Sequence, residues 1–297
     1  MKQRILTATV LIAILVPILF LSWKVAFLIP ALVAVLSLAG TYELLKCLRT
    51  VPGADDAPAT AGKEDFVVSV PAYLIALVLP FGTYFVTDIP PYLLVAAAVF
   101  TVYLLYLFAV AVFRQGKMKF ETVAEVFSGV LYITLSFASL ALLRHQTPFG
   151  GYLYLLVFFG AWVTDTFAYF TGRFFGCHRL NPVISPKKTV EGSIGGIVFC
   201  MISFVAFGLV MHFAGRWGFR VNYRMLLLAG LLASVVSQVG DLITSLIKRD
   251  HGVKDYGKIF PGHGGVLDRF DSVLAISPVL LILSNLSLLG DAFAILS

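Results

Sequence analysis

Three acidic residues near the carboxyl end of the chain have the types and spacing of a divalent-cation site. Asp268 and Asp271 are three positions apart at the start of an apolar segment, so both carboxylates project from one face of a helix. Asp241 lies inside the preceding apolar segment. If the two helices adjoin, the carboxylates converge and repel one another unless a cation lies between them. Oxygen-only ligands favour Mg²⁺, so the sequence predicts a magnesium site formed by these three residues.

Further acids and several cations extend this prediction. Asp165 and Glu191 are additional candidate metal ligands, and the number of acids is compatible with a second cation of unknown identity. Mg²⁺ keeps several waters and commonly completes its coordination with substrate phosphates. The basic side chains suited to such phosphates are Lys187, Lys188, Lys248, Arg249, Lys254 and Arg269.

The segment that carries Asp241 has polar residues along one helix face. Ser245, Lys248 and Arg249 follow Asp241 at helical spacings of four, seven and eight residues. Ser245 is therefore a candidate substrate ligand. Lys248 and Arg249 join the three acids as candidate catalytic residues.

Two glycine-rich stretches provide further candidate substrate ligands. His263 could hydrogen-bond a phosphate or a nucleotide, and Gly264 and Gly265 allow a tight turn that brings backbone N–H groups close to an anion. The stretch 192–196 contains Ser193 and is at least as well suited to close helix packing as to holding phosphate. The G-x-x-x-x-G-K-[ST] pattern is absent, so this is not a Walker-type loop.

Simpler structural roles stay open for several of these residues. The acids and arginine of 268–271 could form a salt-bridged helix cap. Lys187 and Lys188 could extend from the membrane surface toward water. Asp165 could make a buried helix–helix hydrogen bond. Glu43, near the end of an early apolar segment, is assigned no role.

The elements that must position these residues are membrane-spanning helices. The chain is 59% hydrophobic and only 13% charged, and its long apolar runs lack the two-residue alternation of a barrel. We predict an all-α polytopic membrane protein with about nine spans. Their approximate ranges are 5–22, 25–47, 66–86, 91–113, 121–143, 151–172, 193–213, 224–247 and 270–294.

The distribution of lysine and arginine predicts the orientation. Most of the 22 basic residues fall on one side if the N-terminus is cytoplasmic, and positive loops favour the cytoplasm. The polar connectors 172–196 and 248–272 then face the cytoplasm, where the net charge of +6 meets anionic lipids and nucleotides.

These motifs identify a family resemblance. The string SLIKRDHGVKDYGKIFPGHGGVLDRFD, residues 245–271, resembles the signature of the phosphatidate cytidylyltransferases, also called CDP-diacylglycerol synthases. The stretches DTFAY at 165–169 and SPKKT at 185–189 are also similar to the family pattern. Residues of the first string at the family spacing are Ser245, Lys248, Arg249, Lys254, Asp255, Pro261, His263, Gly264, Gly265, Asp268, Arg269 and Asp271.

The resemblance implies a reaction and a location. CTP and phosphatidate would react with Mg²⁺ to give CDP-diacylglycerol and pyrophosphate, a step of phospholipid biosynthesis at the cytoplasmic face of the inner membrane. Residues 144–297 would form the catalytic region, and residues 1–143, N-terminal transmembrane helices, match the family only in hydropathy.

Two alternatives remain at this stage. A cytidylyltransferase for another lipid phosphate would share much of this signature. An ion-coupled membrane transporter would also keep acids near the membrane, although such proteins place them at the midplane of paired repeats. A homo-oligomer is possible, and no nucleic-acid partner is expected.

Overall fold

The computed structural model describes residues 17–18, 21–22, 24–50, 66–86, 88–114, 118–145, 150–213, 221–260, 262 and 264–286. Most of these residues belong to helices. The helices are α1 (Leu28–Cys47), α2 (Phe66–Gly82), α3 (Ile89–Phe113), α4 (Phe120–His145), α5 (Gly150–Phe175), α6 (Val190–Phe213), α7 (Tyr223–Asp250) and α8 (Leu267–Asn285). A single 3₁₀ turn, Thr83–Phe85, follows α2, and an antiparallel hairpin of β1 (Arg179–Asn181) and β2 (Ser185–Thr189) joins α5 to α6.

The predicted membrane fold is confirmed. Within the described ranges, seven helices, α1 to α7, are long and apolar enough to cross a bilayer. The most apolar windows, in α3 and α6, are only 22% buried within the protein. Large apolar side chains that are left uncovered are expected where lipid, not water, surrounds a helix.

The predicted count of nine spans and the side of the N-terminus stay predictions. The first predicted span, 5–22, lies almost entirely outside the described residues. The last, 270–294, corresponds to α8, which is described only to Asn285. Because α8 begins with the charged residues Asp268, Arg269 and Asp271, it does not qualify as a span by composition.

The described residues form two compact units. The first unit contains α1 to α3, α4 up to Ala141, and the segment Ile247–Arg269. The second unit contains the described residues of Leu142–Leu246 and the part of α8 from Phe270 onward. The predicted division into 1–143 and a catalytic region 144–297 stays a prediction.

The connector between α5 and α6 is shorter and more ordered than the predicted polar connector 172–196. Asn181 organises the hairpin turn, because its side-chain oxygen accepts the N–H groups of Val183 and Ile184. Thr189 ends β2 and accepts the N–H of Gly192, as a helix N-cap does. The helices therefore extend closer to the hairpin than hydropathy indicates.

Small residues bring α5 and α6 together. A Cβ at Gly192 would lie 2.6 Å from the Ala168 carbonyl oxygen, and one at Gly196 would lie 3.0 Å from the Thr164 carbonyl oxygen. These glycines let two backbones approach closely, as in many membrane helix pairs. The packing interpretation of 192–196 is thus the one that these contacts support.

Candidate functional site

A cavity in the second unit contains many of the predicted residues. Its volume is about 550 Å³, and it is bounded by α5, the hairpin, α6 and α7. The charged residues that line it are Asp165, Arg173, Arg179, Lys187, Lys188 and Asp241. Four cations against two acids leave a positive excess, which favours a polyanionic ligand.

An ion pair joins the hairpin to α7 inside this cavity. The Nζ of Lys188 lies 2.6 Å from Oδ2 of Asp241, and the Ser245 hydroxyl donates to Oδ1 of Asp241 over 3.3 Å. The two charged side chains are 26% and 30% exposed. Pairs this accessible contribute little stability, about 0.2–1 kcal/mol, so Lys188 and Asp241 can exchange partners when an anion or a cation enters.

Lys187 also lines the cavity and is exposed. It forms no hydrogen bond or ion pair with the part of the chain that the structure describes. Ser193 faces the same cavity, and its carbonyl oxygen accepts from the Gln238 side chain over 3.3 Å. Both predicted substrate ligands thus lie where a ligand could reach them.

Two arginines of the cavity were not among the predicted site residues. Arg173 donates to the Tyr169 hydroxyl over 3.0 Å, and Arg179 donates to the Pro186 carbonyl oxygen over 2.7 Å. A sequence signal existed for the first of them. Asp165, Tyr169 and Arg173 are spaced by four residues, which places them on one face of α5.

The two further candidate metal ligands have different surroundings. Asp165 is exposed at the cavity, so the alternative of a fully buried helix–helix contact does not apply. Glu191 accepts the N–H groups of Cys177 and His178, and its Oε1 lies 2.6 Å from Nδ1 of His178. Glu191 therefore anchors the entry to the hairpin, and its role as a metal ligand stays a prediction.

Helices α7 and α8 approach each other beside two of the predicted acids. A Cβ at Gly240 would lie 2.6 Å from the Ala275 Cβ and 2.8 Å from the Asp271 carbonyl oxygen. Asp241 follows Gly240 directly, so this glycine places both acid-bearing residues at one helix crossing. The Asp271 carboxylate accepts the N–H of Ser272 over 2.7 Å.

The third acid, Asp268, lies in the first unit, in a cluster of side chains that have little exposure to solvent. Its Oδ1 is 2.7 Å from Nζ of Lys248, and the two side chains are 5% and 12% exposed. Its Oδ2 accepts the N–H groups of Tyr256 and Gly265, each over 2.9 Å. The Lys248 ammonium also lies 5.4 Å from the centre of the Tyr256 ring. Burial of this pair is compensated by hydrogen bonds on both carboxylate oxygens.

The glycine-rich loop contacts the Asp268 carboxylate of this cluster. Gly264 has φ of 87°, a conformation that favours glycine, and a Cβ there would lie 2.7 Å from Oδ2 of Asp268. The anion that the Gly265 N–H meets is the chain's own Asp268 carboxylate. His263 lies outside the described residues, so its predicted contact with substrate stays a prediction.

Three more predicted cations lie on exposed positions of the first unit. Arg249 donates to the Val253 carbonyl oxygen over 3.4 Å, and Lys254 and Arg269 are exposed. Their assignment to substrate binding or catalysis stays a prediction.

The sequence reasoning gave Glu43 no role, but Glu43 is a central residue of the first unit. It comes from α1, is 1% exposed, and accepts the N–H groups of Val266 and Leu267, each over 3.0 Å. These partners are more than 220 positions away along the chain. No local pattern could have paired them, although an acid in an apolar helix is itself a signal.

The described residues contain no group of three or more His, Cys, Asp or Glu side chains placed to hold a metal ion. Mg²⁺ does not require such a group, because one or two carboxylates plus substrate phosphates commonly hold it. Asp241 and Asp271 lie beside one close helix crossing and offer only oxygen atoms, and their role as Mg²⁺ ligands stays a prediction. The predicted convergence of Asp268 with these two residues stays a prediction.

Comparison with known proteins agrees with the motifs. A curated phosphatidate cytidylyltransferase of Staphylococcus haemolyticus is 36% identical over 289 residues, covering 95% of this chain and 98% of the relative. The Bacillus subtilis protein of the same name is 35% identical over 285 residues, covering 94% and 96%. The Staphylococcus saprophyticus protein is 32% identical over 286 residues, covering 95% and 98%. The model of the cytidylyltransferase family matches residues 2–287, and the chain belongs to this family.

Proposed function

We propose that this protein transfers the cytidylyl group of CTP to phosphatidate, giving CDP-diacylglycerol and pyrophosphate. The observation that carries the proposal is the cavity of the second unit, in which four cations accompany Asp165 and Asp241. The names of the relatives, which align over nearly the whole chain, support the same reaction.

The cavity suits the electrostatics of this reaction. A triphosphate and a lipid phosphomonoester are both anions and repel each other. Arg173, Arg179 and Lys187 would bind phosphate oxygens, with the arginines able to contact two oxygens at once. Lys188 would turn from Asp241 to a phosphate when the nucleotide binds, because its present ion pair is weak.

The chemical step needs positioning and charge neutralisation more than a protein nucleophile. A phosphate oxygen of the lipid forms a bond to the α-phosphorus of CTP. The bond from that phosphorus to the bridging oxygen breaks, and its electron pair leaves with pyrophosphate. The attacking oxygen is already anionic near neutral pH, so no general base is required.

Asp241 and Asp271 would hold Mg²⁺, with Asp165 as a further candidate. The bound cation would supply neutralisation of the charge that builds up on the phosphate oxygens. The chain's own contribution is to hold the two carboxylates at the α7–α8 crossing and to present the cations of the hairpin. A second cation remains part of the proposal without an assigned ligand set.

The location follows from the substrates. One substrate is a lipid and the other is water-soluble, so the site would lie at the rim of the bilayer. We place it at the cytoplasmic face of the inner membrane, because the basic residues favour that orientation. The residues invoked here come from one chain, so a homo-oligomer is compatible but not required.

The test uses purified protein in lipid vesicles with Mg²⁺ and CTP labelled in the cytidylyl group. We expect the label to enter the lipid fraction with phosphatidate and not with diacylglycerol, which lacks the attacking phosphate. Faster labelling of a different lipid phosphate would replace phosphatidate as the substrate. Solute uptake by sealed vesicles without CTP and without a labelled lipid would favour the transporter and contradict the proposal.

A further inference from the structure

The first unit contains a buried carboxylate that the proposed chemistry does not use. Glu43 is 1% exposed and lies in α1, where a charge is costly. Both of its oxygens act as acceptors. Oε1 accepts the N–H of Val266 and Oε2 accepts the N–H of Leu267. Because the donors are the last amide before α8 and the first amide of α8, Glu43 caps this helix from a distant part of the chain.

The loop before α8 is shaped around this carboxylate. A Cβ at Gly265 would lie 2.3 Å from Oε1 of Glu43 and 2.4 Å from Oε2. A Cβ at Gly257 would lie 2.4 Å from Oε1. Neither glycine has a positive φ, so their backbones would accept alanine. Glycine at these two positions therefore leaves room for the Glu43 carboxylate.

The same loop holds the Lys248–Asp268 pair. Gly265 donates its N–H to Asp268, and the next two amides donate to Glu43. Tyr256, which precedes Gly257, also donates its N–H to Asp268. Two buried carboxylates thus bind four amides of one loop in a single hydrogen-bonded network. Loss of the Glu43 contacts would loosen the backbone that fixes Asp268.

We propose that Glu43 is a positioning residue, which acts through the backbone of residues 256–257 and 264–267 to hold Asp268 and Lys248 in their working geometry. For its catalytic readout, this inference rests on the proposed function and on the predicted catalytic role of Lys248 and Asp268. Glu43 itself touches neither substrate nor metal in this account. Its two carboxylate oxygens fix the backbone amides that lead into α8.

The first test compares Glu43→Gln with the unchanged protein. Glutamine keeps the size but places an NH₂ group, a donor, against a backbone N–H. We expect kcat per folded molecule to fall by about 10- to 100-fold, because small misplacements of reacting groups have effects of this size. The KM for CTP is expected to change by less than about twofold, since the effect is on the chemical step. Among the described residues, those lining the cationic cavity include none of this loop.

Amide hydrogen exchange gives a readout that does not depend on activity. In Glu43→Gln, exchange at Val266 and Leu267 should be at least about tenfold faster, because two protecting hydrogen bonds are weakened. The matched control is Ser37→Ala, which changes a fully buried polar residue on the same helix. We expect that variant to keep both kcat and exchange rates.

A second pair of variants keeps the test decisive if Glu43→Gln fails to fold. Gly257→Ala retains the carboxylate but pushes it aside, and it should lower kcat. The shorter side chain of Glu43→Asp makes room for the new methyl group. Gly257→Ala should therefore cost less activity in the Glu43→Asp background than alone.

The outcomes separate the two proposals. Full kcat with unchanged exchange in Glu43→Gln, or full kcat in Gly257→Ala, would overturn the positioning role while leaving the cytidylyl transfer intact. If the unchanged protein itself transfers no cytidylyl group, the proposed function fails. The exchange comparison then still decides whether Glu43 holds the loop.

Discussion

At the scale of single residues, the Lys188–Asp241 pair is the clearest link between geometry and the proposed chemistry. The pair is partly exposed inside a cationic cavity, so it contributes little to stability and can open for ligands. The pair holds a carboxylate and an ammonium group together in the cavity before a metal ion and a nucleotide bind. Its residues should therefore matter far more to turnover than to folding.

We expect Asp241→Asn to lower kcat by about 100-fold or more, because a metal-binding carboxylate offsets several kcal/mol of phosphate charge. Thermal unfolding should change little. Asp250→Asn, on an exposed acid of the same helix, is the matched control and should retain full activity. Full turnover in Asp241→Asn would remove this residue from the proposed metal site.

Lys187 should act on nucleotide binding. Lys187→Gln removes an exposed cation of the cavity, and we expect the KM for CTP to rise by about tenfold through loss of a charge-assisted hydrogen bond. Steady-state kinetics at low and moderate salt measure this effect, which should weaken as salt screens the charge. Lys119→Gln, another exposed lysine, serves as the control. Equal KM values in both variants would exclude the proposed contact.

The sequence predicted contacts between residues that are separated by a helical spacing. Asp241 and Ser245 are four apart and are hydrogen-bonded. Lys248 and Asp268 were both chosen as site residues, but their ion pair forms across 20 positions and is nearly closed from solvent. Glu43 was missed because its partners depend on tertiary packing, which no local pattern encodes.

At the scale of elements, small residues determine how the helices of the second unit meet. The contacts of Gly192 and Gly196 with α5 carbonyl groups bring α6 close to the helix that carries Asp165 and Arg173. The wall of the cavity therefore depends on these two glycines, which allow α6 to approach α5 closely.

Gly192→Ala should destabilise this packing. The added methyl group would lie 2.6 Å from the Ala168 carbonyl oxygen, and overpacking of this kind costs about 1–3 kcal/mol. We expect a lower unfolding temperature and reduced activity. Gly82→Ala is the control, because nothing lies within 4 Å of a Cβ at that position. A Gly192→Ala protein as stable as the control would contradict the close approach of α5 and α6.

Helix existence was predictable from apolar runs, but helix ends and the hairpin were not. The predicted spans 151–172 and 193–213 became Gly150–Phe175 and Val190–Phe213. A hydropathy average does not detect the ends of helices, because helix ends that extend beyond the bilayer carry polar residues. The hairpin depends on turn and cap contacts of Asn181 and Thr189, which are side-chain effects.

At the scale of the whole molecule, the orientation in the membrane can be tested with the native cysteines. Cys177, beside the hairpin, is exposed, whereas Cys47 and Cys200 are buried. A membrane-impermeant maleimide should label Cys177 in inside-out vesicles and not in right-side-out vesicles, because the connector is predicted to face the cytoplasm. The label should disappear in Cys177→Ser. Labelling only from the outside would reverse the predicted topology.

The central claim is that the α-phosphorus of CTP, not its terminal phosphate, is transferred to the lipid. The most direct measurement uses CTP with one label in the cytosine ring and another in the γ-phosphate. We predict that the cytosine label appears in the phosphatidate-derived lipid, while an equal amount of γ label appears in pyrophosphate. Lipid that carries the γ label without the cytosine label would contradict the account.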